Sequence, residues 1–324
     1  LSAIDAAMAV VSQHGDFLES DDQAVTFALH TDSTDLKITL MSRTGILPEA
    51  DFYCPIPYEP LVRATAAAVA AEIAQGSAGL LDRCFALFVE EIALADPWWA
   101  ARVSLNERSP DDIADAYFAD RVAHDPLRWA QFNLAEVEHN KRNRITVPWR
   151  YAILRMHEVF QDIVPFLDEA DRDRFESGMS RVFMDNYAAI PSESVRRILA
   201  LHKAGVVTLL ELGPDYDKDV TEHGTTIRVG CTNHKFDIFI DARGQKPLES
   251  KDLPFPRLRD QLLAAGEEIP TVDGDYGLTL PAEARGRIAL GAIPYLLHDQ
   301  PFVQGITAAA EIGPKMADMS MTLS

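Results

Sequence analysis

Apolar residues recur along this chain with two periods, and the change of period divides it into three parts. The opening stretch LSAIDAAMAVVSQHG places Ile4, Met8 and Val11 at helical spacing and meets a stop signal at Gly15. After the polar excursion HGDFLESDDQAVTFALHTDSTD comes LKITLMSRTGILP, whose apolar residues alternate like a strand and end at Arg43. From about residue 58 to 204 the period is helical. It runs through an Ala-rich segment and then LLDRCFALFVEEIAL, SPDDIADAYFADRV, DPLRWAQFNLAEVEHN, PWRYAILRMHEVFQDI, DEADRDRFESGMSRVFM and PSESVRRILALHKAG. Ser109-Pro110-Asp111-Asp112 and Pro191-Ser192-Glu193 carry the proline, capping residues and early acids that suit helix starts.

Beyond Gly205 the alternation returns in GVVTLLELG, TTIRVG, KFDIFIDARGQ and RIALGAI, with a helix at FPRLRDQLLAAG and a closing helix after Gln304. The expectation is that strands at 36–42, 205–212, 225–230, 235–241 and 287–291 share one core region, with residues 60–204 forming a separate helical body.

Composition narrows the function classes. A chain of 324 residues with 47% hydrophobic and 25% charged residues can bury a sizeable core, and about two domains is the prior. A formal charge of -20 argues against a nucleic-acid partner, which requires a surplus of Lys and Arg to neutralise phosphates. Cys54, Cys84 and Cys231 are odd in number and scattered, which suits a reducing, cytoplasmic compartment. The most apolar window, Ala64 to Leu81, is Ala-rich and interrupted by Glu72 and Gln75, so no membrane span is expected. The chain opens inside a helix, with no residue ahead of it to cap the front N–H groups. That reads as a fragment cut within a strand–turn–helix unit.

In a nucleotide-binding βαβ unit, the residue at the tip of the second strand meets the adenosine ribose. An acid there selects NAD, whereas an arginine accommodates the extra phosphate of NADP. Ser42 and Arg43 occupy that tip. The competing reading leaves Arg43 as a solvated residue of a strand-to-loop turn.

LSAIDAA, ITLMSRTGILP, FDIFIDARGQ and RIALGAIPYLLHDQPFVQGITAAAEIG, in that order, resemble an uncharacterised bacterial FAD/NAD(P)-binding family related to the flavin monooxygenases and amine N-hydroxylases. The resemblance implies an α/β fold: an incomplete Rossmann-like dinucleotide-binding frame with a large inserted helical block. Residues 1–57 would be a partial NAD(P)-binding βαβ unit, 58–204 the insert, and 205–324 the C-terminal α/β part of the frame. It implies FAD and NADP as cofactors, with cofactor contacts at Leu1, Ser2, Ser42, Arg43, Ala242, Gly244, Gly291, Gln304 and Gly305. The last helix would then point its N-terminus at the flavin ring, or else merely cover the sheet.

The sequence departs from that pattern in three places. No GxGxxG occurs to receive a pyrophosphate, Arg243 stands where the hinge usually has Thr, and Gly291-Ala292 replaces a Gly-Asp pair. The chain alone is therefore expected to purify without flavin absorbance.

Other candidate chemistry is sparser. His157-Glu158 and Glu136, Glu138 and His139 hold ligand-type side chains without the HExxH spacing, so no metal site is expected. Lys141-Arg142-Asn143-Arg144 with Arg150 would either hold a phosphate or complement the negative end of the preceding helix. No Ser/His/Asp or Cys/His pairing is legible, and Cys54 reads as inert. The leading reading is a fragment of an FAD-dependent oxidoreductase that uses NAD(P)H to reduce flavin, monooxygenase-like, acting on a small molecule whose identity the sequence leaves open. The alternative is a non-catalytic acidic helical interaction module on a degenerate dinucleotide-binding frame.

Overall fold

A computed structural model of the chain describes residues 2–20, 24–243, 246–303 and 305–321, with 305–307 and 319–321 described by backbone alone. The chain is a mixed helix-and-sheet protein. Helix α1 (Ser2–Val11) buries Ile4, Ala7 and Val11 along one stripe. Strands β1 (Gly15–Glu19) and β2 (Val25–Leu29) pair antiparallel, with the Phe17 and Phe27 rings 4.8 Å apart. β3 (Ile38–Ser42) follows.

The helical part then runs through α2 (Ala66–Ile73), α3 (Leu80–Ala95), α4 (Pro97–Arg102), α5 (Ile113–Val122), α6 (Pro126–Asn143), α7 (Pro148–Phe160), α8 (Glu169–Ser177), α9 (Met179–Tyr187) and α10 (Ser192–Lys203). Its starts follow capping chemistry: the side chains of Thr65, Asp96, Asp125 and Asp168 each accept from a backbone N–H in the first turn of the helix they precede. Phe85 and Phe88 of α3, Met156 and Phe160 of α7, Phe175 of α8 and Phe183 of α9 form one continuous apolar core.

β4 (Val207–Glu211) lies parallel to β3, with Ile38 opposite Val207 and Ser42 opposite Glu211. Parallel neighbours need a crossover, and here the crossover carries the whole helical part and returns through α10. That last helix packs on β2, β4 and α6. Accordingly Val195 and Ile198 of α10 share a core with Ile4 of α1 and Ala130 and Val137 of α6, while Ala200 and Leu201 pack with Val11, Phe27 and Val207. Core packing thus runs across the expected boundary between helical block and strands.

Strands β5 (Tyr216–Thr221), β6 (Gly224–Val229) and β7 (Thr232–Phe236) form a separate antiparallel meander. Helices α11 (Pro256–Ala264), α12 (Ile293–Leu296) and α13 (Gly305–Met321) complete the chain.

Several sequence expectations need correction. The expected strands do not share one core region among the described residues: Ile38 and Val207 belong to one apolar cluster and Leu290 to another, and β1–β2, β3–β4 and β5–β7 are three separate sheets. β7 ends at Phe236, and residues 237–243 are not in a strand; Ile238 stays 80% exposed and Ile240 56%. Their alternation finds no hydrogen-bonded neighbour among the described residues, and a strand requires one. Residues 287–291 contribute only an isolated bridge between Gly277 and Ala289. The polar excursion after Gly15 contains the β1–β2 pair. DEADRDRFESGMSRVFM is two helices, broken at Gly178, where a Cβ would sit 1.8 Å from the Pro110 carbonyl oxygen. Among the described residues no helix is long and apolar enough to cross a membrane.

Candidate functional site

The C-terminal tip of β3 is where the two parts of the molecule meet. The pairing with β4 extends one step past the strand on the backbone: Leu212 N–H donates to Ser42 O and Gly213 N–H to Arg43 O, each at 2.9 Å. The chain then turns at Gly45, whose φ of +69° belongs to the left-handed region, and a Cβ there would press to 3.0 Å from Glu211 Cβ.

Two clefts flank this turn. One, of about 450 Å³, lies between Thr44–Ile46, the end of β4, His202 of α10 and the α5–α6 joint around His124 and Asp125. His124 and His202 each place Nδ1 on a backbone carbonyl, of Asp120 at 2.6 Å and Val207 at 3.1 Å, so Nδ1 is the donor in both. The other cleft, of about 460 Å³, is lined by Arg43, by Asp173, Glu176 and Ser177 of α8 and by Arg181 of α9. Arg43 is exposed, and among the described residues its guanidinium has no hydrogen bond or ion pair.

The segment leaving β3 runs through the interior, where its backbone groups and side chains need partners. A buried carboxylate supplies the anchor. Glu49, 4% exposed, accepts from Trp129 Nε1 at 2.7 Å and pairs with Arg150 of α7, with Arg121 Nε of α5 at 3.9 Å. Arg121 in turn donates to Asp185 at 2.5 Å and to Leu47 O at 2.6 Å. Tyr117 donates to the same Asp185 oxygen at 2.8 Å and accepts from Asn186. Burial, with the Asp185 charge adding to it, holds the Tyr117 hydroxyl far above its ordinary range, so it stays a neutral donor. Burial pulls Arg150 down to about 10, with Asp185 opposing, so it remains a cation at neutral pH.

Around this network Ala50 N–H donates to Asn133 Oδ1 at 2.8 Å, and Asp51 N–H and Glu49 O bond the backbone of Ile190. A second buried acid, Glu91, receives the N–H groups of Val62, Arg63 and Ala64 farther along the same connection. Removing one partner of such a buried pair leaves the other charge uncompensated, which costs about 3–5 kcal/mol.

This arrangement overturns the phosphate reading of Arg150, which is buried against Glu49. Lys141 is occupied by Asp51 at 2.6 Å and, with Arg142, sits in the last turn of α6. Ser2 lies exposed in the first turn of α1, which packs against β3. Ala242 sits between Asp241 and Arg243, which pair on the surface. Gly291 faces α13, and a Cβ there would meet Met316 Sδ at 2.2 Å and Ile312 Cγ2 at 2.7 Å, so its bareness serves helix packing. Gly305 opens α13. Ala242, Gly291 and Gly305 line neither cleft, and Leu1, Gly244 and Gln304 lie outside the described residues.

Among the described residues no three His, Cys, Asp or Glu side chains gather as a metal site. His157 is spent on the Leu154 carbonyl, and Glu138 on Arg196. Burial and the Asp51 charge push the Cys54 thiol up, and burial takes Cys84 to about 12, which keeps both protonated. Sequence reasoning missed Glu49, Glu91, Arg121 and Arg181, each unremarkable in its local stretch.

Two similarities bear on these boundaries. Residues 65–187 match the family model of the YdhS-like middle domain. That span opens at Thr65, the cap of α2, and closes at Tyr187, the end of α9, leaving α10 with the strands it packs on. Over 317 residues the chain is 58% identical to the uncharacterized protein YdhS of Escherichia coli (strain K12), covering 98% of this chain and 59% of that protein. The chain thus spans about three-fifths of that relative's length.

Proposed function

We propose that the chain is the NADP(H)-binding part of a flavin-dependent oxidoreductase, with the tip of β3 receiving the adenosine end of the dinucleotide. The observation that carries this reading is Arg43. It is an exposed guanidinium with no protein partner among the described residues, at the C-terminal end of a parallel strand against which α1 packs. In open α/β sheets ligands bind outside the carboxyl ends of the strands. β3 paired parallel with β4, with α1 packed beside it, matches the second and third strands and first helix of a dinucleotide-binding half, to which the β1–β2 hairpin is added between α1 and β3. Within that frame α2–α9 are an insert between β3 and β4.

The tip fits the phosphorylated ribose through Arg43, which offers charged donors, whereas Ser42, one position earlier on the strand, lines neither cleft. The residues expected around flavin do not gather in the same way, since Gly291 is filled by α13 and Ala242 lies elsewhere. No step through flavin is therefore derived, and flavin binding belongs to the longer protein. When bound, NADPH supplies a hydride. What this chain contributes is the placement of the phosphorylated ribose on Arg43 and the fixing of the exit segment by Glu49.

Charge-assisted hydrogen bonds contribute about 1.5–3 kcal/mol each. Arg43→Ala is therefore expected to weaken NADPH binding about ten- to a hundred-fold in a calorimetric titration, using about 1.4 kcal/mol per factor of ten. NADH, which lacks the phosphate, should be almost unaffected. Equal weakening of both, or of neither, would return Arg43 to a solvated turn residue.

A further inference from the structure

We infer that Arg181 of α9 is the second half of the phosphate site, so that the helical insert and the strand frame each supply one arginine to the same anion. This rests on the dinucleotide reading of the β3 tip and adds to it a specificity residue from a different part of the molecule.

Arg43 and Arg181 line one cleft, although they are 138 positions apart and belong to different elements. Neither is neutralised. Arg43 has no ion pair among the described residues, and the ionic partner of Arg181, Asp115, stands at 4.0 Å with its side chain 84% exposed, too solvated to hold the guanidinium. Packing holds it in place instead. The Arg181 guanidinium lies over the Phe118 ring at 5.4 Å, and one of its nitrogens reaches the Ser177 carbonyl at 3.3 Å. A cation positioned by an aromatic face and left with unused donors is set up for a multivalent anion.

The position of α9 adds to this. Arg181 stands in its first turn, directly after the end of α8, so the cleft borders the joint between the two helices, where the C-terminal end of α8 and the N-terminal end of α9 meet. The remaining lining groups are acceptors. Asp173 and Glu176 are exposed carboxylates, and the Ser177 hydroxyl donates to the carbonyls of Asp173 and Arg174, which leaves its oxygen to accept. A cleft lined by two arginines and by acceptors matches a phosphorylated ribose, whose phosphate needs donors and whose free hydroxyl needs an acceptor. The two carboxylates repel a phosphate, which confines it to the guanidinium groups.

The test is a calorimetric titration of the 324-residue chain with 2′,5′-ADP, which carries the phosphate, and 5′-AMP, which lacks it. Arg181→Ala should weaken 2′,5′-ADP about ten-fold and leave 5′-AMP unchanged. Arg181→Lys, which keeps the charge but not the fork, should recover part of the loss. A melting curve checks that neither substitution unfolds the chain. If Arg43→Ala weakens 2′,5′-ADP while both Arg181 variants bind it like the wild type, the inference is wrong and the dinucleotide reading survives. If the wild type does not distinguish the two nucleotides, both are wrong.

Discussion

The helical insert and the β3–β4 pair are ordered by different means. In the insert, Phe88, Phe160 and Phe183 are each about 1% exposed or less and pack ring against ring, and Phe302 from the C-terminal part packs on Phe175 and Phe183, so order here comes from apolar burial. No residue of β3 is fully buried, and two strands are too few to stand alone. That pair takes its position from neighbours: α1 and α10 pack against it, and Glu49 is held by arginines of α5 and α7. A dense apolar body can thus act as a fixture for a thin strand layer, through the apolar packing of α6 and α10 with Leu40 and Leu209 and through the buried charges around Glu49. The tip of β3, with Arg43, stands where the insert puts it.

The contrast can be broken most severely in the insert's core. Phe88→Ala should cost about 3–5 kcal/mol in denaturant titration, because the ring leaves a cavity that three neighbouring elements cannot close. A loss under about 1 kcal/mol would show that this core relaxes freely and that the contrast is false.

Next in size is Glu49→Ala, which leaves Arg150 without its ionic partner in the interior, while Arg121 keeps Asp185, and should cost about 3 kcal/mol. Its signature is local: amide exchange should speed up across residues 43–52 while α3 and α7 keep their protection. Uniform acceleration over the whole chain would mean that the anchor serves general stability and not the placement of β3.

The smallest effect concerns Arg174, which joins α3, the approach to α5 and α8 by binding Asp82, Asp111 and Asp171. Hydrogen bonds from Arg174 hold Asp82 and Asp111 below the usual carboxylate range. Carboxyls with a lowered folded pKa stabilise the fold above their unfolded value, about 3.9, and lose that contribution as pH falls through the folded values. Both acids are more than half exposed, so solvent screening keeps the effect under about 1 kcal/mol. Arg174→Gln should flatten the loss of stability as pH falls below about 4. Parallel acid limbs for variant and wild type would remove Arg174 from the account.

Much of the helical part is readable from local chemistry: Asp125-Pro126 opens α6 and Pro191-Ser192-Glu193 opens α10 because caps and early acids act within one turn. β3 is readable from its alternation. What escapes depends on distant partners. Glu49 looks like any acid in a polar loop until Arg121 and Arg150, far along the chain, enclose it. FDIFID alternates as a strand should, yet pairing is a property of two segments. Gly178 is tolerable inside a helix at about 1 kcal/mol, and only the approach of the Pro110 carbonyl shows why the helix breaks there. The site divides the same way: Ser42 and Arg43 follow from the strand's end, whereas Arg181 reaches the cleft through the packing of the insert.

The proposal turns on the β3 tip, which shares a cleft with α8 and α9, as the place where the dinucleotide binds. Hydrogen–deuterium exchange of the chain with and without saturating NADPH tests it most directly. Slowed exchange is expected at residues 43–46 and 173–181, with β5–β7 unchanged. Slowing confined to residues 216–236, or none anywhere, would contradict it.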